Sequence, residues 1–214
     1  MSSTTWPRTV TVPPDRLAGW LAGFAERHGT PAVEVDTDAL VLQAADGAAA
    51  RVRLLWGPLP EGDPLAEVVA AFARPRRVGA LIVRRKAHAV GIFVGSELVA
   101  GRRGSHYVQG RTKAGGWSQQ RYARRRANQA ERSFEAAGRD AADLLVGEAG
   151  RLDALALGGD GAAVASVLAL PELARLAQVE RRLGPLSVPD PNARVLAEFG
   201  ALFRRVPIDL NELA

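Results

Sequence analysis

The sequence has no cysteine, one methionine and three histidines in 214 residues. Without thiols there is no disulfide, no thiolate metal site and no cysteine nucleophile. His28, His88 and His106 stand too far apart for the HxxxH or HExxH spacing that holds zinc on one helix face. No metal and no cofactor are therefore expected. Long apolar runs are also missing, since none approaches the roughly 18 uninterrupted residues of a membrane span. The opening MSSTTWPRTV lacks the basic start and apolar stretch of a secretion signal. A soluble cytoplasmic protein without membrane contact is expected, long enough to bury a core without staples.

What is abundant is arginine, and its placement is uneven. From Arg102 to Arg132 nine basic side chains (Arg102, Arg103, Arg111, Lys113, Arg121, Arg124, Arg125, Arg126 and Arg132) face one acid, Glu131. That segment is +8 within a chain of net charge +5, so the rest is −3. A mildly acidic body with one concentrated positive stripe is the footprint of a phosphate-backbone binder, and arginine adds forked donors and planar stacking. A solvated helix face gives the same charge run; here, however, the charge flanks a glycine loop.

Periodicity divides the chain in two. Pro13-Pro14-Asp15 can start a helix in which Leu17, Trp20, Leu21 and Phe24 share a face. Short β-rich runs follow at Ala32 to Val35, Ala39 to Leu42 and Arg51 to Trp56, giving a small α/β unit over residues 1–60. The stretch Gly57 to Asp63 reads as a linker, and a helix from Leu65 to Ala73 leads into a second unit, 61–214. There, Val78 to Val83, Ala89 to Val94 and Leu98 to Ala100 predict an antiparallel meander. Gly101 to Gly116 reads as an exposed basic loop. A long helix is expected from about Ser118 to about Gly147, with Ala123, Ala127, Ala130, Phe134, Ala137, Ala141 and Leu144 on one stripe. Beyond it lie a strand at Leu152 to Leu157, helices at Gly161 to Val167 and Pro171 to Leu176, a strand at Leu186 to Val188, a helix from Asn192 to Phe203 and an edge strand at Pro207 to Leu210. The fold class is α/β in the α+β sense, a mixed sheet layered with helices.

The run Arg111-Thr-Lys-Ala-Gly-Gly-Trp-Ser-Gln-Gln-Arg121 concentrates the chemistry. Gly115 and Gly116 free the backbone for close approach. Trp117 at a loop tip can stack on a base, whereas Trp20 and Trp56 sit in core-like patterns. Arg102, Arg103, Arg111, Lys113, Arg121, Arg124, Arg125 and Arg126 can take phosphates. His106 can touch RNA or order the loop, a general base being the other reading, and Tyr107 can stack on a nucleotide or seat the loop. Ser118 fits a helix N-cap better than a nucleophile, having no histidine near it in sequence. Cations at a helix N-terminus oppose its dipole unless an anion docks there.

A glycine pair followed by glutamine in a basic loop, after a meander and before a long helix, resembles the catalytic domain of eukaryotic-type class I release factors. More closely, Lys113-Ala-Gly-Gly-Trp-Ser-Gln-Gln-Arg-Tyr-Ala-Arg-Arg-Arg-Ala-Asn-Gln129 resembles the bacterial, actinobacterial-type branch of the VLRF family of release-factor-like peptidyl-tRNA hydrolases. The resemblance covers most of the second unit from Val78 and is specific from Gly101 to Gln129. It implies an RNase H-like catalytic domain whose loop enters the peptidyl-transferase centre of the large ribosomal subunit. There a glutamine would set water against the ester of peptidyl-tRNA, as an orienting amide rather than a strong base. Gly115 and Gly116 match the glycine pair and Gln119 the glutamine; Trp117 departs from the pattern, which leaves Gln120 as the alternative amide. The implied partners are the ribosome and peptidyl-tRNA, the implied role is rescue of stalled complexes by a monomer, and no stop-codon-reading domain is evident.

Three other functions compete. A metal-dependent nuclease needs converging carboxylates, and the two apolar runs hold none, leaving Glu97, Asp140 and Asp143. A non-catalytic ribosome- or tRNA-binding protein needs only the arginine stripe. A loop that cuts inside the tRNA 3′ end instead of at the ester would leave a damaged CCA terminus.

Overall fold

Residues 8–12, Arg-Thr-Val-Thr-Val, alternate polar and apolar side chains, the pattern of a strand wet on one face. In the computed structural model they are β1 (Arg8–Val12) rather than a tail. The structure describes the backbone of residues 5–84, 86–105 and 118–214, and the side chains of all of these except 118–130. The chain forms two units, residues 1–75 with 204–214, and residues 76–203.

In the first unit α1 (Leu17–His28) is followed by β2 (Ala32–Val35), β3 (Ala39–Gln43), β4 (Ala49–Arg53) and α2 (Pro64–Ala73). Leu17, Leu21 and Phe24 of α1 and Val68 and Phe72 of α2 bury against Leu40, Leu42, Ala50 and Val52, and Trp20 and Trp56 pack at the margin of this core. The Asp63 carboxylate caps α2 at the Leu65 amide, 3.2 Å away, and Pro64 opens the helix with φ already set. The α2 helix thus belongs to the first core and does not lead into a second domain at residue 61. A boundary at 75/76 replaces the expected 60/61.

The C-terminal strand completes that sheet. Residues 207–210 were expected at an edge, but β10 (Val206–Leu210) lies between β1 and β4, in the order β1-β10-β4-β3-β2. Its buried Val206, Ile208 and Leu210 explain the interior place. On the opposite face Asp209 is almost sealed, with 1% of its side chain exposed. Arg51 donates to Oδ2 from Nε (3.0 Å) and Nη2 (2.7 Å), Arg53 donates to both oxygens, and the Thr9 hydroxyl donates to Oδ1 at 2.7 Å. Trp6 stacks on Arg51 from the far side, 5.0 Å from ring centroid to guanidinium.

The second unit is built on the two continuous apolar runs, which suit strands covered on both faces. β5 (Arg77–Arg84), β6 (Ala87–Val94) and β7 (Glu97–Ser105) are the antiparallel meander, and β8 (Ala154–Gly159) and β9 (Arg182–Leu186) add in parallel beyond β5. The order β7-β6-β5-β8-β9 is that of an RNase H-like sheet. One face is covered by α3 (Ser118–Leu145), α4 (Gly161–Leu168) and a 3-10 segment at Pro171–Gln178, the other by α5 (Ala193–Phe203). Leu196, Phe199 and Phe203 of α5 are buried, and burying each contributes about 1.5–3 kcal/mol. Glycines at 91, 101 and 158 let α5 sit that close, since a Cβ at any of them would come within about 3 Å of Leu196 or Phe199.

Two expectations shift here. The sheet does not stop at Ala100, because β7 runs to Ser105, with Arg102 opposite Val90 and Arg103 opposite Ala89. Gly101 and Gly104 suggested a loop, yet their missing side chains serve packing inside the strand. Similarly, β9 starts at Arg182 rather than Leu186, with Arg182 opposite Leu155 and Leu183 opposite Ala156.

Burial of Asp209 opposes its charge, but the hydrogen bonds from Arg53, Thr9 and Arg51 outweigh that and hold its carboxyl well below the ordinary 3.8. A depressed folded value gives stability that is complete above the unfolded value and is lost as pH falls through the folded one. Asp209→Asn should therefore cost the first unit about 2 kcal/mol at neutral pH. In denaturant titrations the gap between native and variant should begin to narrow once pH drops below 3.8 and keep closing as the pH falls further towards the folded value.

Candidate functional site

Three of the basic residues in the charged segment have described side chains: Arg132 on α3, and Arg102 and Arg103, which stand on β7, one on each face of the strand. Arg103 is exposed on the α5 face, free of the helix that follows the segment. Arg102 points the other way, to α3. Its Nη1 donates to Asp143 Oδ2 at 2.5 Å and lies 3.6 Å from Asp140 Oδ1. The hydrogen bond to Asp143, against the cost of burial, and the charges of both carboxylates raise its pKa further above the arginine range. Arg102 is thus spent partly on holding strand to helix.

Beside it, His88 of β6 is 1% exposed, and its Nε2 meets Asp140 Oδ2 at 2.8 Å. His88 stands opposite Gly104 in the β6–β7 ladder. A Cβ at Gly104 would lie 2.2 Å from the imidazole Cε1, so the ring rests flat on the strand backbone one residue before β7 ends. Burial of Ser133, Ala137, Ala141 and Leu145 fixes the remainder of α3 on the sheet. These positions repeat at four residues, where the expected stripe had Phe134 and Leu144, which are only partly buried.

The helix itself is a ruler. At 1.5 Å per residue its 28 residues span about 42 Å, and Ser118 lies about 33 Å along the axis from Asp140. Asp140 is held next to the end of β7, so the first turns of α3 run past the end of the sheet. Gln119, Gln120, Arg121, Arg124, Arg125 and Arg126 occupy those turns. Their side chains are outside the described residues, as are His106, Tyr107, Arg111, Lys113, Gly115, Gly116 and Trp117 altogether. The structure therefore brings the two ends of the segment to one side of the second unit and leaves the expected catalytic residues to chemistry.

The three carboxylates open to a nuclease do not converge. Asp140 and Asp143 are tied to His88 and Arg102, and Glu97 starts β7, roughly 17 Å down the strand from Arg102. Among the described residues no group of three or more His, Asp or Glu side chains is placed to hold a metal, and no helix is long and apolar enough to cross a membrane. The His88–Asp140 pair was not singled out by sequence. Its signal was one polar side chain inside the apolar run Ala87 to Val94.

With the strand, the helix and the charge in place, comparison with known families decides the affiliation. The family model described as Actinobacteria/chloroflexi VLRF1 release factor matches residues 76–209. The chain belongs to this VLRF1 family. The match takes in the whole second unit and reaches into β10 of the first, while residues 1–75 lie outside it. No curated protein matches. Among solved structures, the chain is similar to one titled as the archaeal translation termination factor aRF1, with 15% identity and a TM-score of 0.42 over 92% of this chain. A second, titled only as an archaeal protein, has 15% identity and a TM-score of 0.37 over 92% of the chain. The chain spans 66% of the length of each.

Gly104→Ala should drive a methyl group into the imidazole and destabilise the second unit by about 2 kcal/mol. Gly147→Ala, where a methyl meets nothing within 4 Å, should stay within about 0.5 kcal/mol. Chemical unfolding of both variants measures the contrast.

Proposed function

We propose that this VLRF1-family chain is a peptidyl-tRNA hydrolase that releases nascent chains from stalled ribosomes or large ribosomal subunits. The observation that carries the reading is positional: Gly115-Gly116, Gln119 and Gln120 fall inside the +8 segment, at the strand-to-helix junction of the family-matched unit. Ribosomal RNA at the peptidyl-transferase centre is a dense anionic surface. An arginine-rich arm on a body that is otherwise −3 is attracted there by its tip and not by its body.

The reaction adds water across one ester bond. The water oxygen bonds to the carbonyl carbon of the nascent chain, the bond to the tRNA 3′ oxygen breaks, and one proton goes to that oxygen. A free peptide carboxyl and an intact tRNA result. A neutral amide such as Gln119 can hold the water by one group and the developing oxyanion by another, which is positioning and electrostatic work rather than proton abstraction. Gly115 and Gly116 suit a backbone that must pass close to RNA, and Trp117 supplies a stacking surface. No metal or cofactor enters this chemistry. The protein acts in the cytoplasm, as a monomer on peptidyl-tRNA and the large subunit, and the arginines at 121, 124, 125 and 126 take phosphates.

Release of nascent chain from isolated large subunits carrying peptidyl-tRNA tests the reading. The native protein should release peptide, and Gln119→Ala should slow release by about 100-fold with subunit binding intact. If Gln120→Ala does so instead, Gln120 is the operative amide; if neither does, the chain binds without hydrolysing. Replacing Arg124, Arg125 and Arg126 by alanine should weaken subunit binding and lower the slope of log affinity against log salt by about 2–3.

A further inference from the structure

We infer that His88 and Asp140 are positioning residues for the release reaction, a wedge between β7 and α3 that sets the direction in which α3 carries Gln119 and Gln120. This rests on the hydrolase reading above. His88 is the one buried titratable side chain among the described residues of the second unit, and it sits in a layer otherwise made of Leu81, Val83, Val90, Ala137 and Ala141. An apolar side chain of similar volume would fill that layer without the cost of burying a polar ring. Stability alone therefore gives no reason for a histidine here, whereas direction does.

The geometry is that of a spacer held on two sides. One face of the imidazole lies on the backbone of Gly104, where even a methyl group has no room. The Nε2 edge is bonded to Asp140 at 2.8 Å. Arg102, two residues before Gly104 and on the same side of β7, spans Asp140 and Asp143 one turn further along α3. Among the described residues the charged groups around His88 are Asp140, which it meets, and Arg102 of β7 and Asp143 of α3, which are paired with each other beside it. Ring and guanidinium together fix how far the strand that enters the segment stands from the helix that leaves it, and at what tilt. Gln119 and Gln120 stand in the first turn of α3, about 30 Å along its axis from Asp140. A change of tilt at Asp140 is amplified along the helix axis, and a misplacement of about 1 Å at a reacting group can cost about 100-fold in rate.

A wedge that positions should show itself in kcat, not in binding. On large subunits carrying peptidyl-tRNA, His88→Ala should lower kcat for release by at least about tenfold, with KM and subunit affinity within twofold of native and the circular dichroism of the folded protein retained. His88→Gln, whose amide can still donate to Asp140, should recover part of that loss, and Asp140→Ala should behave like His88→Ala. An unchanged kcat in His88→Ala, a loss explained by a smaller folded fraction, or a loss lying in KM would each overturn the inference. So would a His88→Gln protein that is folded but no better than His88→Ala. If the native protein releases nothing, the hydrolase reading fails first and the wedge falls with it. Native release with an indifferent His88→Ala removes the wedge alone.

Discussion

A segment with eight net positive charges begins on β7 and ends on α3 of one unit, and the junction between that strand and that helix has to hold against the charge. Like charges within about 8 Å repel even at physiological salt, so the strand that enters and the helix that leaves need an attraction that does not depend on the segment itself. The structure supplies it in two forms. Ser133, Ala137, Ala141 and Leu145 bury one stripe of α3 on the sheet, and Asp140 and Asp143 give Arg102 and His88 local acceptors. These two acids lie beyond the basic run, in the part of α3 that is buried on the sheet. On the far face, glycines at 91, 101 and 158 let α5 close over the sheet.

The two units divide the charge between them. Residues 1–75 and 204–214 carry eight basic and eleven acidic side chains, so the first unit is −3 and the second has the whole +8. The first unit spends two of its arginines on the Asp209 carboxylate, within a sheet that the last strand closes. Its charge gives it no tendency to approach phosphate, so in the proposed function the attraction to RNA falls to the second unit.

Much of this was legible in the residues. The apolar runs announced the β5–β6–β7 meander, and the helices expected from Leu65 to Ala73 and from Gly161 to Val167 lie within one residue of α2 and α4. The helices that bury Phe24 and Phe199 showed in the spacing of their apolar residues. Glycine misled where it served packing: Gly101 and Gly104 read as loop, although one makes room for Leu196 and the other for the His88 ring. The pairing of β10 between β1 and β4 could not be read from local pattern, because it joins residues about two hundred positions apart. Nor does periodicity reveal that one histidine within an apolar strand meets one aspartate on a helix fifty-two residues later. The glutamines and the glycine pair were legible as chemistry alone, from residue type and from likeness to a family.

In the proposed hydrolase a cationic segment, held at both ends by a braced strand and helix, brings a neutral amide to one ester bond. The most direct test is the chemical identity of the tRNA released when the native protein acts on peptidyl-tRNA bound to large subunits. Mass spectrometry of the 3′ end should find an intact CCA terminus with a free hydroxyl, alongside a peptide ending in a free carboxyl. A tRNA shortened at its 3′ end, with nucleotides still attached to the peptide, would contradict ester hydrolysis and make the arm a guide for nucleolytic cleavage instead.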